Sequence, residues 1–269
     1  MKAIEIGAKR TLVFYLHGLR GHALSQKAAL QHIVKNVGVT LVSLELPGHG
    51  EASLAERCMV PKYERLVEDI VAEVRGWATD AEQVVLMGYS FGGALMSLAA
   101  RKLESDPAFT PRVAGFVGIS TAFDVDHNVP RWQLWLAGVI APLSRLFYRR
   151  FPRGSRWLTI GEMKIELISP DPGVQQAIRD DDWTYKGRIP LNTSAQVYRA
   201  SKAAKQALDT LQCDVLLLHS IDDQIARAPS QSTFKKRIDL KLFKALRHNC
   251  IDGMGREAFY ARRAITNFI

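Results

Sequence analysis

The chain has 269 residues, 47% of them hydrophobic and 23% charged, a composition that excludes a disordered chain and suits one α/β domain carrying an insertion. Its net charge of +9 could attract anionic lipid, an acidic substrate or nucleic acid, but no nucleic-acid-binding signature accompanies it and no such partner is expected. Three cysteines, Cys58, Cys213 and Cys250, lie far apart without a CxxC pair, which argues against a disulfide framework or a zinc site and for a reducing, cytoplasmic compartment.

The N-terminal MKAIEIGAKR lacks the apolar segment of a secretory signal, and the longest apolar run, Trp132 to Leu143, is too short to span a bilayer. Thr11 to Leu16 (TLVFYL) reads as a buried strand. It ends in His17-Gly18-Leu19, where the loop can offer a backbone N–H to a developing oxyanion; Leu19 is the candidate donor, with His17 orienting the loop. Ser25 to Lys35 is amphipathic with helical spacing, Val39 to Leu46 reads as a second strand, and Tyr63 to Trp77 as a second helix. Val84 to Met87, then Phe91 to Leu103, then Val113 to Ile119 continue the strand–helix–strand alternation.

The alternation stops between about Thr121 and Ala195, a stretch rich in Pro, Arg and Trp with no obvious strand. It is read as a helical cap over 121–195, inserted in a core made of 1–120 and 196–269. Strands resume at Val215 to Leu218 and Leu240 to Leu246, and Glu257 to Phe268 closes the chain as a helix. Apolar runs without clean alternation suit strands covered on both faces, so the fold class expected is α/β, a mostly parallel central sheet flanked by helices.

The strongest motif is Gly88-Tyr89-Ser90-Phe91-Gly92, followed by Gly93. A bare GxSxG is weak, but here an apolar strand (VVLM) runs into it and a small-residue helix (GGALMSLAARKL) runs out. That strand–turn–helix setting is what a nucleophile elbow requires, with Ser90 on a sharp, strained turn and glycines admitting close approach of strand and helix. The Phe91 N–H would be the second oxyanion donor.

A serine hydroxyl is a poor nucleophile without a base. Among seven histidines, His248 alone follows the last strand, and Asp223 follows the strand before it, giving the order Ser, Asp, His. Asp222 competes with Asp223 for the acid position; spacing from the strand end favours Asp223. Residues expected to touch substrate are His17, Gly18, Tyr89 and, from the cap, Trp132 and Trp135. No metal ligand set is expected; Asp180, Asp181 and Asp182 read better as a helix-end acidic cluster than as a cation site.

Several motifs together resemble the monoacylglycerol lipase and lysophospholipase branch of the α/β-hydrolases: HGLRGH at His17, ELPGHG at Glu45, GYSFGG at Gly88, LLLHSIDDQI at Leu216, RH at Arg247 and ISPDPGVQQAIRDDD at Ile168. The resemblance implies a serine esterase or lipase without a cofactor, acting on small or lipid-like acyl esters through Ser90, Asp223 and His248, with the amides of Leu19 and Phe91 as oxyanion donors. Ser220 departs from the glycine usual before the acid, and NCIDGMGRE after His248 departs from the usual acidic helix lead. A thioesterase or acyltransferase would use the same triad, and a binding protein on this fold would break it. From Arg131 to Lys164 the cap holds seven Arg or Lys, Glu162 as its only acid, and interleaved aromatics, which fits contact with an anionic membrane surface, a basic pocket rim or a solvated face. Oligomeric state is not read from these residues.

Overall fold

The computed structural model describes residues 11–51, 57–125, 159–236 and 238–269. The elements run β1 (Thr11–Leu16), α1 (Lys27–Val37), β2 (Thr40–Leu44), α2 (Tyr63–Trp77), β3 (Gln83–Tyr89), α3 (Phe91–Glu104) and β4 (Arg112–Ile119). From residue 159 they continue with β5 (Thr159–Ile160), α4 (Pro172–Asp180), β6 (Ile189–Pro190), α5 (Leu191–Leu208), β7 (Asp214–Ser220), β8 (Asp239–Phe243) and α6 (Arg256–Phe268). Six strands form one sheet in the order β2-β1-β3-β4-β7-β8, every neighbouring pair parallel.

Side chains alternate faces along a strand, so a strand that is apolar throughout feeds two cores. Leu12, Phe14 and Leu16 of β1 join Val84 and Leu86 of β3 and Val215 and Leu217 of β7 under α2, α3 and α5. Val13 and Tyr15, with Val85, Met87, Leu216 and Leu218, face the opposite way against α1 and α6. The expected α/β sheet with helices on both faces is the fold observed. Only β8, at the sheet edge, is largely exposed along its length.

Three differences from the sequence reading have physical causes. The second strand stops at Leu44, where the next residue, Glu45, turns its carboxylate to the His17 ring, 2.6 Å from Nε2. The last strand stops at Phe243, because Ala245 and Arg247 both adopt left-handed backbone (φ 56°), turning the chain toward His248. Helix α5 has no strong apolar stripe, only a small-residue face of Ala195, Ala200, Ala204 and Ala207 against α3; the boundary expected after Ala195 falls within it.

Of the stretch read as a cap, the described part holds α4, capped by Asp171 accepting the Gly173 N–H (2.8 Å), and the two-residue antiparallel pair β5–β6, where the sequence shows no obvious strand. Trp132, Trp135 and the basic stretch up to Arg156 lie outside the described residues. Among the described residues no helix is long and apolar enough to cross a membrane.

Candidate active site

Ser90 sits between β3 and α3 with φ 53° and ψ −120°, a conformation that L residues adopt only when their surroundings impose it. Here the neighbours impose it: Ser90 N–H donates to Ile119 O (2.9 Å) and Ser90 O accepts from Ala122 N–H (3.1 Å). The flanking glycines are required by contact rather than by backbone angle. A Cβ on Gly88 would stand 2.6 Å from the Gly93 backbone nitrogen, and one on Gly92 would overlap the carbonyl oxygens of Leu16 and His17. Helix α3 therefore starts hard against the end of β1, bringing Phe91 and Leu19 to one cavity.

The His248 ring lies between the other two expected residues. Its Nε2 is 2.8 Å from Ser90 Oγ and its Nδ1 is 2.7 Å from Asp223 Oδ2. A carboxylate only accepts, so Nδ1 carries the hydrogen and Nε2 is left to accept from the serine hydroxyl. Both His248 and Asp223 are buried. The histidine loop is pinned to the segment between β5 and α4: His248 N–H donates to Leu167 O (3.3 Å) and Asn249 N–H to Ile168 O (2.7 Å). The Tyr89 ring packs beside the imidazole, 5.1 Å between centroids.

Asp223 is held from all sides. Its Oδ1 accepts the N–H groups of Ile225 (2.8 Å) and Ala226 (3.0 Å), and its Oδ2 accepts from His248 and from His219 Nε2 (3.0 Å). Burial alone would raise this carboxyl, but the charge of His248 and the hydrogen bonds of His219 and His248 hold it well below the usual carboxylate range. Asp222, the competing acid, is exposed and accepts the Ala245 N–H instead.

His17 is buried, with Nδ1 2.8 Å from Gly18 O and Nε2 2.6 Å from Glu45 Oε1. Through Glu45 it ties the loop after β1 to the loop after β2, and it lines the cavity with Gly18 and Tyr89. Burial pushes the neighbouring His49 down to about 3, so that ring is neutral.

The cavity over Ser90 measures about 340 Å³. Its walls include Leu19, Met163, Leu167, Ile168, Ile178, Ile189, Val197 and Ile225, an apolar lining of the size and character that accepts a small organic ligand. Sequence reasoning missed three contributors to the site. His219 was legible as a strand-end histidine four residues before Asp223. Arg20 was visible only as one charge among many. The polar cluster of Gln26, Asn249 and Asp252, joined by Gln26 to Asn249 (3.3 Å) and Asn249 to Asp252 (2.7 Å), carried no local signal. Among the described residues no group of three or more His, Cys, Asp or Glu is placed to hold a metal; Asp181 instead engages His22 (2.7 Å) and Thr184 (2.7 Å).

A six-stranded parallel sheet, a strained serine between strand and helix, and chain order Ser, Asp, His define an α/β-hydrolase. A family model described as serine aminopeptidase, S33, matches residues 7–252, and the chain belongs to that family of hydrolases. Solved structures agree on the fold. Paleococcus ferrophilus monoacylglycerol lipase superposes with a TM-score of 0.78 at 20% identity, covering 100% of this chain and 98% of that one. A soluble variant of monoglyceride lipase from Saccharomyces cerevisiae, in complex with a substrate analog, gives 0.72 at 15% identity, covering 97% and 87%. A lipase-esterase related protein from Clostridium acetobutylicum gives 0.64 at 17% identity, covering 100% and 99%. A search of curated protein sequences finds no match.

Proposed function

We propose that this hydrolase cleaves carboxylic esters of small or lipid-like acyl chains through Ser90, His248 and Asp223. The observation that carries the reading is the Ser90 Oγ–His248 Nε2 contact of 2.8 Å at the wall of an apolar cavity. His248 takes the serine proton as Oγ adds to the ester carbonyl carbon. The carbonyl π electrons move to oxygen, where the N–H groups of Leu19 and Phe91 stabilise the charge; one such donor is typically worth about 3–4 kcal/mol. The imidazolium, steadied by Asp223, gives its proton to the departing alkoxide. A water then repeats the sequence on the acyl-enzyme, releasing the acid and restoring Ser90.

The apolar walls favour an acyl chain over a peptide, and the monoacylglycerol and monoglyceride lipases among the structural neighbours are in keeping with that choice. Buried free thiols at Cys58, Cys213 and Cys250 favour a cytoplasmic setting. Contact with anionic membrane through the basic cap stretch belongs to the same proposal, and loss of vesicle binding at high salt would support it. The catalytic reading is tested by fluorophosphonate labelling of the wild type and Ser90→Ala, with a panel of monoacylglycerols, p-nitrophenyl esters, thioesters and amides. Label and ester turnover confined to the wild type are expected; equal labelling of both proteins would reject the nucleophile.

A further inference from the structure

Arg20 follows Leu19 directly, is 8% exposed, and is one of the residues lining the cavity over Ser90. Its position is fixed. The backbone is left-handed (φ 73°), Arg20 O accepts the Tyr185 N–H (2.8 Å), and the guanidinium lies 6.0 Å over the Tyr185 ring. Its partners among the described residues are two backbone carbonyls, Gly187 O at 2.6 Å from Nη1 and Gly161 O at 3.4 Å from Nη2. A guanidinium has five N–H donors, so three are unmatched among the described residues.

No carboxylate among the described residues pairs with it. The groups near enough to influence its charge are Cys58, whose thiol burial holds up at about 12, and Tyr185, and neither supplies a negative charge at neutral pH. Of the acids on the cavity wall, Asp252 is committed to Asn249, and Glu162 is exposed. Burial pushes this guanidinium below its ordinary value, and among the described residues no carboxylate offsets that cost. A merely structural tie between two loops needs carbonyl contacts, which a neutral donor would make at less cost. A permanent charge with fork-shaped donors on the wall of a mainly apolar cavity, which also carries Lys164, has the chemistry of an oxyanion receptor.

We infer that Arg20 anchors an anionic group, a carboxylate or a phosphate, carried by the ester that Ser90 attacks. The inference rests on the ester-hydrolase reading above and gives its substrate class: an acyl ester with an apolar body and one negative end.

Two substrate pairs test it and separate the sources of charge. Ethyl hydrogen adipate against ethyl hexanoate places a carboxylate on the acyl chain; butyryl glycerophosphate against monobutyrin places a phosphate on the alcohol. In at least one pair the wild type is expected to favour the anionic member in kcat/KM by about tenfold, the worth of a charge-assisted hydrogen bond. A buried pair is little screened, so the preference is expected to persist at high salt, where attraction by the overall positive charge would collapse. Arg20→Gln is expected to erase the preference and Arg20→Lys to keep part of it. Preference for the neutral ester in both pairs by the wild type overturns the inference, whether or not any variant folds. So does an Arg20→Gln protein that slows both members of a pair equally. Turnover of neutral esters alone sinks this inference and leaves the hydrolase reading standing; no turnover of any ester and no fluorophosphonate label sinks both.

Discussion

His219 offers the sharpest test of how the acid is held. Its Nε2 lies 3.0 Å from Asp223 Oδ2 and 2.8 Å from Ala226 O; both are acceptors, so that nitrogen carries the hydrogen and shares it between them. His219→Leu deletes one of the four donors on the carboxylate and orphans a buried carbonyl. A hydrogen bond to a charged group contributes about 1.5–3 kcal/mol, and the abandoned carbonyl adds to the loss, so a folding deficit of about 2–4 kcal/mol is expected at pH 7. His219→Gln, which can still donate, should recover part of it.

The sign of the pH dependence follows from Asp223. Its folded-state value is depressed, so the stability it contributes is complete above the unfolded value of about 3.9 and is lost as the pH falls through the folded value. The gap between wild type and His219→Leu is therefore widest near neutrality and narrows in acid. Urea unfolding at pH 7 and near pH 2 supplies the readout. Equal urea midpoints at pH 7, or a gap that widens in acid, would refute the reasoning.

Asp223→Asn should lower kcat by a factor on the order of 10⁴, because an amide no longer holds the imidazole in the tautomer that accepts the serine proton. Asp222→Asn, at an exposed carboxylate, should stay within about 0.5 kcal/mol of the wild type in stability; steady-state rates on one p-nitrophenyl ester distinguish the pair, and a larger loss at Asp222 would reverse the assignment. Gly92→Ala drives a methyl into the carbonyls of Leu16 and His17, an overpacking that costs about 1–3 kcal/mol and should depress kcat more than KM by parting the two oxyanion amides. Wild-type stability and turnover in this variant would show that the contact yields freely.

Local signals in the chain carried the sheet and its serine. β1, β3 and β7 are apolar on both faces, and the glycines around Ser90 bracket a strand–helix junction, so these elements announce themselves within a few residues. α5 did not, because it buries alanines against α3 rather than a stripe of large side chains. Position after the last two strands gave the order Ser, Asp, His, with Asp222 competing for the middle place.

Choosing Asp223 over Asp222 needed the loop that aims one carboxylate inward and leaves the other to the Ala245 N–H. Finding His219, Arg20 and the Gln26–Asn249–Asp252 cluster needed the packed chain as well. The Ser90–His248 contact joins residues 158 apart, and Arg20 meets Gly187 across 167. Burial and hydrogen bonding at such separations depend on how sheet, loops and the segment between β5 and β6 stack in space, and no pattern in the local sequence encodes that.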